Sequence, residues 1–219
     1  NEIEWEEQQH SLEKILIADV VVKSPGITDK VEVVRQLVSK GVPVISEIEF
    51  ASQFTNANII GITGSNGKTT TTMLTHHLLK EGGLRVEMAG NIGDSFAKQV
   101  AETDVEHYVL ELSSFQLDGI KNFKPHIAVI TNITPDHLDR YDYKFENYIA
   151  SKFRIAMNQT KDDYLIYDAD DEVIVAYLKE NQIQSKLLPF SLTKKLEQGA
   201  YLEEKNIKIN IDNSQLIMP

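Results

Sequence analysis

Residues 61–72, GITGSNGKTTTT, combine a glycine-rich turn, a lysine and a run of hydroxyls. A turn of this kind opening a helix aims backbone N–H groups at one point, and the helix dipole adds positive potential there. The chemistry is anion binding: Lys68 would reach the outer groups of a polyphosphate, and the Thr69 hydroxyl a magnesium ion beside them. The general phosphate-loop pattern wants glycine five residues before Gly67, where Ile62 stands; Gly61 and Gly64 flank that position instead. What is present is the narrower string Thr63-Gly64-Ser65-Asn66-Gly67-Lys68-Thr69, followed by Thr70. The plainer reading is a turn that only joins strand to helix, and the Lys-Thr ending argues against it.

Three more stretches hold polar residues in short clusters: GNIG (90–93), ELSSFQL (111–117) and TPDHLDRY (134–141). Each has an ordinary structural reading. Asn91 between glycines suits a turn, Ser113 and Ser114 suit helix caps, and His137 could donate to a carbonyl. Asp136, Asp139 and Arg140 could form a solvated ion-pair cluster. Glu111 is sharper, because it follows the apolar run Tyr108-Val109-Leu110, where a carboxylate is costly without a cation. A magnesium ion shared with Thr69 supplies one, since hard oxygen ligands suit that metal. Lys152 lies in the apolar stripe of Phe145, Tyr148, Ile149 and Ala156 on one helix face. Either its ammonium snorkels to water, or it is buried, loses its proton and can take up carbon dioxide as a metal-binding carbamate.

These residues need a frame, and the chain alternates strand and helix. A strand over 18–24 and a helix over 29–41 are followed by VPVI and SEIEFASQF, which repeat the unit. A second series starts at Asn58: strand 58–63, helix 67–81, strand 84–89, helix 94–102, and strands 106–112 and 126–133. Helix 144–158, strand 163–168, helix 170–181, strand 186–190 and a hairpin over 200–211 complete it. Such alternation means a mainly parallel α/β sheet flanked by helices. The four polar stretches then fall at the carboxyl ends of strands, where ligands bind in open parallel sheets. The seam between the two series falls near 54–58.

The chain has 219 residues, a net charge of -11 and no cysteine. That charge argues against nucleic acid or an anionic membrane as partner. No apolar stretch approaches the ~18 residues of a membrane span, and the lack of cysteine fits a reducing cytoplasm. Asn1 in place of Met, and an end at NSQLIMP without a terminal cap, read as a piece of a longer protein.

TGSNGKTT, GNIG, ELSSFQL and TPDHLDRY, followed by Lys152, resemble the Mur ligase family, and SSFQL with the earlier SPGI (24–27) resemble its D-glutamate-adding members. The resemblance implies a cytoplasmic, monomeric ATP-dependent ligase joining UDP-N-acetylmuramoyl-L-alanine to D-glutamate through an acyl phosphate. It implies ATP held by Thr63 to Thr70, with Lys68 on the β- and γ-phosphates, and one magnesium at Thr69 and Glu111. A second magnesium is implied at His137 and a carbamylated Lys152. Gly26, Asn91, Ser113, Gln116 and His137 are implied to seat the UDP-linked substrate, with Lys68, Glu111, His137 and Lys152 as the catalytic set. Residues 1–55 become the end of a Rossmann-like substrate domain and 56–219 an incomplete ATP-binding central domain of phosphate-loop type. The D-glutamate domain and an adenine-holding His-Asn…Asn segment fall outside the chain, so the fragment alone is expected to be inactive.

Other readings compete. A GTPase would need Asp-x-x-Gly and Asn-Lys-x-Asp, and neither is in the sequence. A small-molecule kinase, a sister ligase of the same family for another amino acid, a folylpolyglutamate-type ligase and a non-catalytic nucleotide module share the phosphate loop and remain open at this level.

Overall fold

The computed structural model describes residues 3–212 and 214–219; Asn1 and Asn213, on which the reading of the two ends drew, lie outside the described residues. The first part carries α1 (Leu12–Ile15), β1 (Val21–Lys23), α2 (Glu32–Ser39), β2 (Val44–Ser46) and α3 (Glu47–Ser52). β1 and β2 pair in parallel as a separate two-stranded sheet. The rest of the described residues build one nine-stranded sheet. Its strands are β3 (Asn58–Thr63), β4 (Val86–Gly90), β5 (His107–Glu111), β6 (Ile127–Ile130), β7 (Tyr164–Asp168), β8 (Lys186–Ser191), β9 (Gly199–Glu203), β10 (Asn206–Ile211) and β11 (Ser214–Met218). The order is β11-β10-β9-β8-β7-β6-β3-β5-β4. From β4 to β9 every pairing is parallel; β9, β10 and β11 close the sheet as an antiparallel meander.

The expected mainly parallel α/β sheet is what forms, because its central strands are apolar on both faces. Ile60, Ile62, Val86 and Val109 pack beneath α4 (Lys68–Glu81) on one face. On the other, Ala89, Leu110, Ala128, Ile130 and Leu165 pack against α5 (Phe96–Glu102), α6 (Ser114–Asp118), α7 (Phe145–Phe153) and α8 (Glu172–Glu180) through Phe96, Leu117, Tyr148, Phe153 and Ile174. Among the described residues four helix starts follow the N-cap logic: the Ser46, Ser95, Ser113 and Asp171 side chains each accept backbone N–H groups from the first turn that follows.

Several ends differ from the sequence expectation. The helix expected over 144–158 is α-helical only to Phe153 and tightens to a 3₁₀ turn over Arg154–Ala156. The strand expected over 126–133 stops at Ile130: the Thr131 N–H still bonds to Thr63 of β3, but Asn132 and Ile133 turn away to bond to Ser65 and Asp171. The helix over 29–41 spans only Glu32–Ser39, and α6 lies inside a stretch read as a loop.

The first part is joined to the sheet body through α3. Glu49, buried in the interface, accepts the N–H groups of Lys121, Asn122 and Phe123 at 2.8–3.0 Å. The Ser46 N–H donates to the Gly119 carbonyl at 2.8 Å, and Glu47 accepts the Ala97 N–H that opens α5. Among the described residues no helix is long and apolar enough to cross a membrane.

Candidate active site

The register aligns Thr63 with Ile130, Ile62 with Glu111 and Glu111 with Gly90, so the exits of β6, β3, β5 and β4 stand side by side. All four polar loops therefore leave one rim. After Thr63 the chain turns at Gly64, whose φ of +146° favours glycine, and a Cβ there would sit 2.0 Å from Thr131 Oγ1. Gly67, with φ of +80°, starts α4 at Lys68. The N–H groups of a helix's first turn have no partner within the helix, and here they belong to the Gly-Lys-Thr-Thr segment. Lys68 folds back, its ammonium donating to the Gly64 and Ser65 carbonyls, each at 3.0 Å.

Glu111 ends β5 with its side chain 1% exposed. Thr69 Oγ1 donates to one carboxylate oxygen at 2.7 Å and Asn91 Nδ2 to the other at 2.7 Å. The Asn91 N–H also bonds to the Glu111 carbonyl. Thus three residues from separate loops meet, and the buried carboxylate is bonded to neutral donors. A hydroxyl and a carboxylate in contact at the mouth of an anion-binding turn form an all-oxygen set suited to a hard divalent cation. Among the described residues no three His, Asp or Glu side chains converge in that way, so phosphate oxygens and water would have to complete the shell.

Lys152 is 2% exposed and does not snorkel. Its ammonium donates to the Gly64 carbonyl at 2.7 Å and to Thr63 Oγ1 at 3.3 Å, and lies 5.1 Å above the Tyr148 ring. Burial pushes it down to about 7, the charge of Lys68 adds to that push, and Asp136, Asp118 and Glu111 oppose it more weakly. As an ammonium it cannot ligate a metal; once neutral, its amine can react with carbon dioxide, giving a carbamate and a released proton.

His137 stands apart from these groups. It occupies the left-handed region at φ 49° before a 3₁₀ turn (Leu138–Tyr141), with its ring 5.2 Å from Phe115 and half exposed. Among the described residues nothing joins it directly to Lys152; the rings of Phe115, Tyr141 and Tyr148 lead from one to the other. Ser113 and Gln116 form a capping box for α6, Gln116 Oε1 accepting both the N–H and the hydroxyl of Ser113. Gly26 faces this side through Arg140, whose guanidinium donates to the Pro25 and Gly26 carbonyls at 3.3 Å and covers Phe115 at 4.4 Å. Arg140 therefore bridges the two parts of the chain instead of pairing with Asp136 or Asp139. Lys23, Lys30 and Arg140 line a cavity of about 210 Å³ there together with Thr28, Phe115 and the carboxylates of Asp29, Asp118 and Asp142.

Sequence reasoning did not single out Thr131 and Asn132. Thr131 Oγ1 donates to the Asn66 carbonyl at 2.7 Å, and Asn132 bonds to the backbone of both Ser65 and Asn66. The available signal was a Thr-Asn pair directly after an apolar strand, beside a loop that needs outside partners.

Residues 62–218 match the Mur ligase middle domain. A UDP-N-acetylmuramoylalanine–D-glutamate ligase of Christiangramia forsetii is 63% identical over 218 residues, covering 100% of this chain and 49% of that protein. One from Bacteroides fragilis is 51% identical over 222 residues, covering 99% and 50%. The chain spans about half the length of the curated relatives it matches. Among solved structures, a UDP-N-acetylmuramoyl-L-alanyl-D-glutamate–2,6-diaminopimelate ligase has a TM-score of 0.60 at 18% identity, covering 91% of this chain and 55% of that one. MurF ligase from Thermotoga maritima in complex with ADP has 0.55 at 17%, covering 93% and 58%. At such identities the likeness is one of fold.

Proposed function

The chain belongs to the Mur ligase family, and from that premise we propose that it forms the ATP-binding centre of an enzyme joining D-glutamate to UDP-N-acetylmuramoyl-L-alanine for peptidoglycan precursors. Relatives carrying that ligase name are 51–63% identical along almost the whole chain, which supports this amino acid over that of a sister ligase. The observation that carries the chemistry is the contact of buried Glu111 with Thr69 at the mouth of the phosphate loop.

ATP would lay its phosphates along Thr63 to Thr70, and Lys68 would leave the Gly64 and Ser65 carbonyls for the β- and γ-phosphates. Magnesium held by Thr69 and Glu111 would supply positive charge where two anions have to approach. The muramoyl-alanine carboxylate attacks the γ-phosphorus and ADP leaves, giving an acyl phosphate. The D-glutamate amine then attacks the acyl carbon, phosphate departs, and the amine gives up a proton. Holding carboxylate and phosphate in line contributes much of the rate. Lys152, as a carbamate, would bind a second magnesium ion beside the carboxylate. His137, which stands apart from Lys152 behind Phe115, Tyr141 and Tyr148, would join that ion only with the 134–137 segment drawn toward the phosphate loop. Gly26, Asn91, Ser113, Gln116 and His137 would seat the UDP-linked substrate. Residues 1–55 would belong to the substrate domain and 56–219 to the central domain, with D-glutamate held by sequence outside this chain. The enzyme is proposed to act as a cytoplasmic monomer.

Calorimetry on the 219-residue chain tests the reading. Mg-ATP is expected to bind, Lys68→Ala to abolish the signal, and no ligated product to form with both other substrates present. Absence of Mg-ATP binding would overturn the nucleotide assignment; product from this chain alone would overturn the placement of the D-glutamate site.

A further inference from the structure

Asn132 has no part in the reading above, yet its whole side chain is spent on the phosphate loop. Its amide oxygen accepts the Asn66 N–H at 2.9 Å, and its amide nitrogen donates to the Asn66 carbonyl at 3.0 Å. Its own carbonyl accepts the Ser65 N–H at 2.9 Å. A carboxamide that gives and takes on one residue's backbone imitates a neighbouring strand. It fixes the first half of the loop and leaves the donors of the second half, Gly67 to Thr70, for an anion.

The side chain of Ser65 extends the same seam. Its hydroxyl donates to the Thr134 carbonyl at 2.9 Å and accepts the Thr134 N–H at 2.9 Å. A hydroxyl has one proton to give, so in the 3.2 Å contact with the Tyr148 hydroxyl it is Tyr148 that donates. Tyr148 is 1% exposed, one helical turn before Lys152, whose ammonium its ring faces. Residues 65–66 are thereby bonded to 131–134, and that segment runs on through Pro135 to His137.

We infer that Asn132 is a positioning residue, seconded by Tyr148, that couples the phosphate loop to the 134–137 segment so that a triphosphate on the loop restrains the acceptor side of the site. The inference rests on the nucleotide reading and adds a connection to it. One bond of the seam, Ser65 to Asn132, joins backbone to backbone, and the others run between side chain and backbone at the exposed edge of the loop. Together they tie Ser65 and Asn66 to 131–134, so that displacement of the two loop residues pulls on Thr134. This is a contiguous physical link of the kind that carries coupling between sites.

Amide hydrogen exchange on the 219-residue chain, with and without Mg-ATP, tests it. Mg-ATP is expected to slow exchange over 132–138 as well as 64–70. Asn132→Ala, which keeps the Ser65–Thr134 pair and the backbone bond to Ser65, is expected to lessen the slowing over 132–138 and to weaken Mg-ATP binding about tenfold, the size expected for losing one or two net hydrogen bonds. Removing the Ser65 hydroxyl as well, in the Asn132→Ala, Ser65→Ala double variant, is expected to confine the slowing to 64–70. A variant that was only less stable would show a lower melting temperature with the linked slowing intact, which would overturn the inference. Slowing confined to 64–70 in the wild-type chain would overturn it however the variant folds. Failure of the wild type to bind Mg-ATP would remove the nucleotide reading as well, whereas binding without the linked slowing removes this inference alone.

Discussion

Lys68 and Lys152 both donate to the Gly64 carbonyl, at 3.0 and 2.7 Å, so two ammonium groups share one acceptor. Burial and that neighbour hold Lys152 at about 7, against about 10.4 for a lysine in water. Between those values the unfolded chain keeps a proton that the folded chain has released, so stability rises with pH across the window and levels off above it. Urea titrations from pH 7 to 10 are expected to show this rise, approaching about 1.4 kcal/mol per pH unit at most, and Lys152→Met to remove it. Glu111 makes the opposite case, a buried anion with neutral partners. Glu111→Gln keeps the shape and loses the charge, and is expected to weaken the magnesium dependence of ATP binding roughly 10- to 100-fold, as for losses around a metal site. Circular dichroism should show the fold kept. These residues were legible in the sequence because their types are costly or reactive where the apolar pattern puts them. Asn132 and Tyr148 were not. An asparagine at the end of an expected strand and a tyrosine on an apolar stripe have common structural uses, and their partners are 66 and 83 residues away.

At the scale of elements, the continuous apolar runs of β3 and β5 made the parallel sheet readable, since strands buried on both faces need no alternation. α6 escaped notice because its five residues are too few for a helical period to show. β11 escaped because SQLIM is exposed throughout and has no buried face to set a pattern. The seam expected near 54–58 gave no hint of α3's role. Glu47 and Glu49, which look like a solvated face, turn inward onto the starts of two backbone segments of the sheet body. Glu49→Ala would strand three inward-facing N–H groups, and is expected to cost roughly 2–4 kcal/mol in denaturant unfolding. Glu32→Ala, on an exposed helix face, is expected to stay within about 0.5 kcal/mol.

For the whole molecule, parallel order explains why four loops far apart in sequence share one rim. β6, β3, β5 and β4 run the same way and lie adjacent, so their exits cannot separate. The far side of the same sheet has a different character. Among the described residues β11 is the border strand, with Leu216 56%, Ile217 52% and Met218 44% exposed and one row of backbone groups facing outward. Natural sheets usually guard such a border with charge, proline or a bulge, and SQLIM carries none of the first two. Concentrated stocks are therefore expected to self-associate border to border, as light scattering that grows with protein concentration. Ile217→Lys should keep the solution clear while leaving the melting temperature nearly unchanged. The chain's shelf life would then be governed by five residues at the opposite end of the sheet order from its reactive machinery.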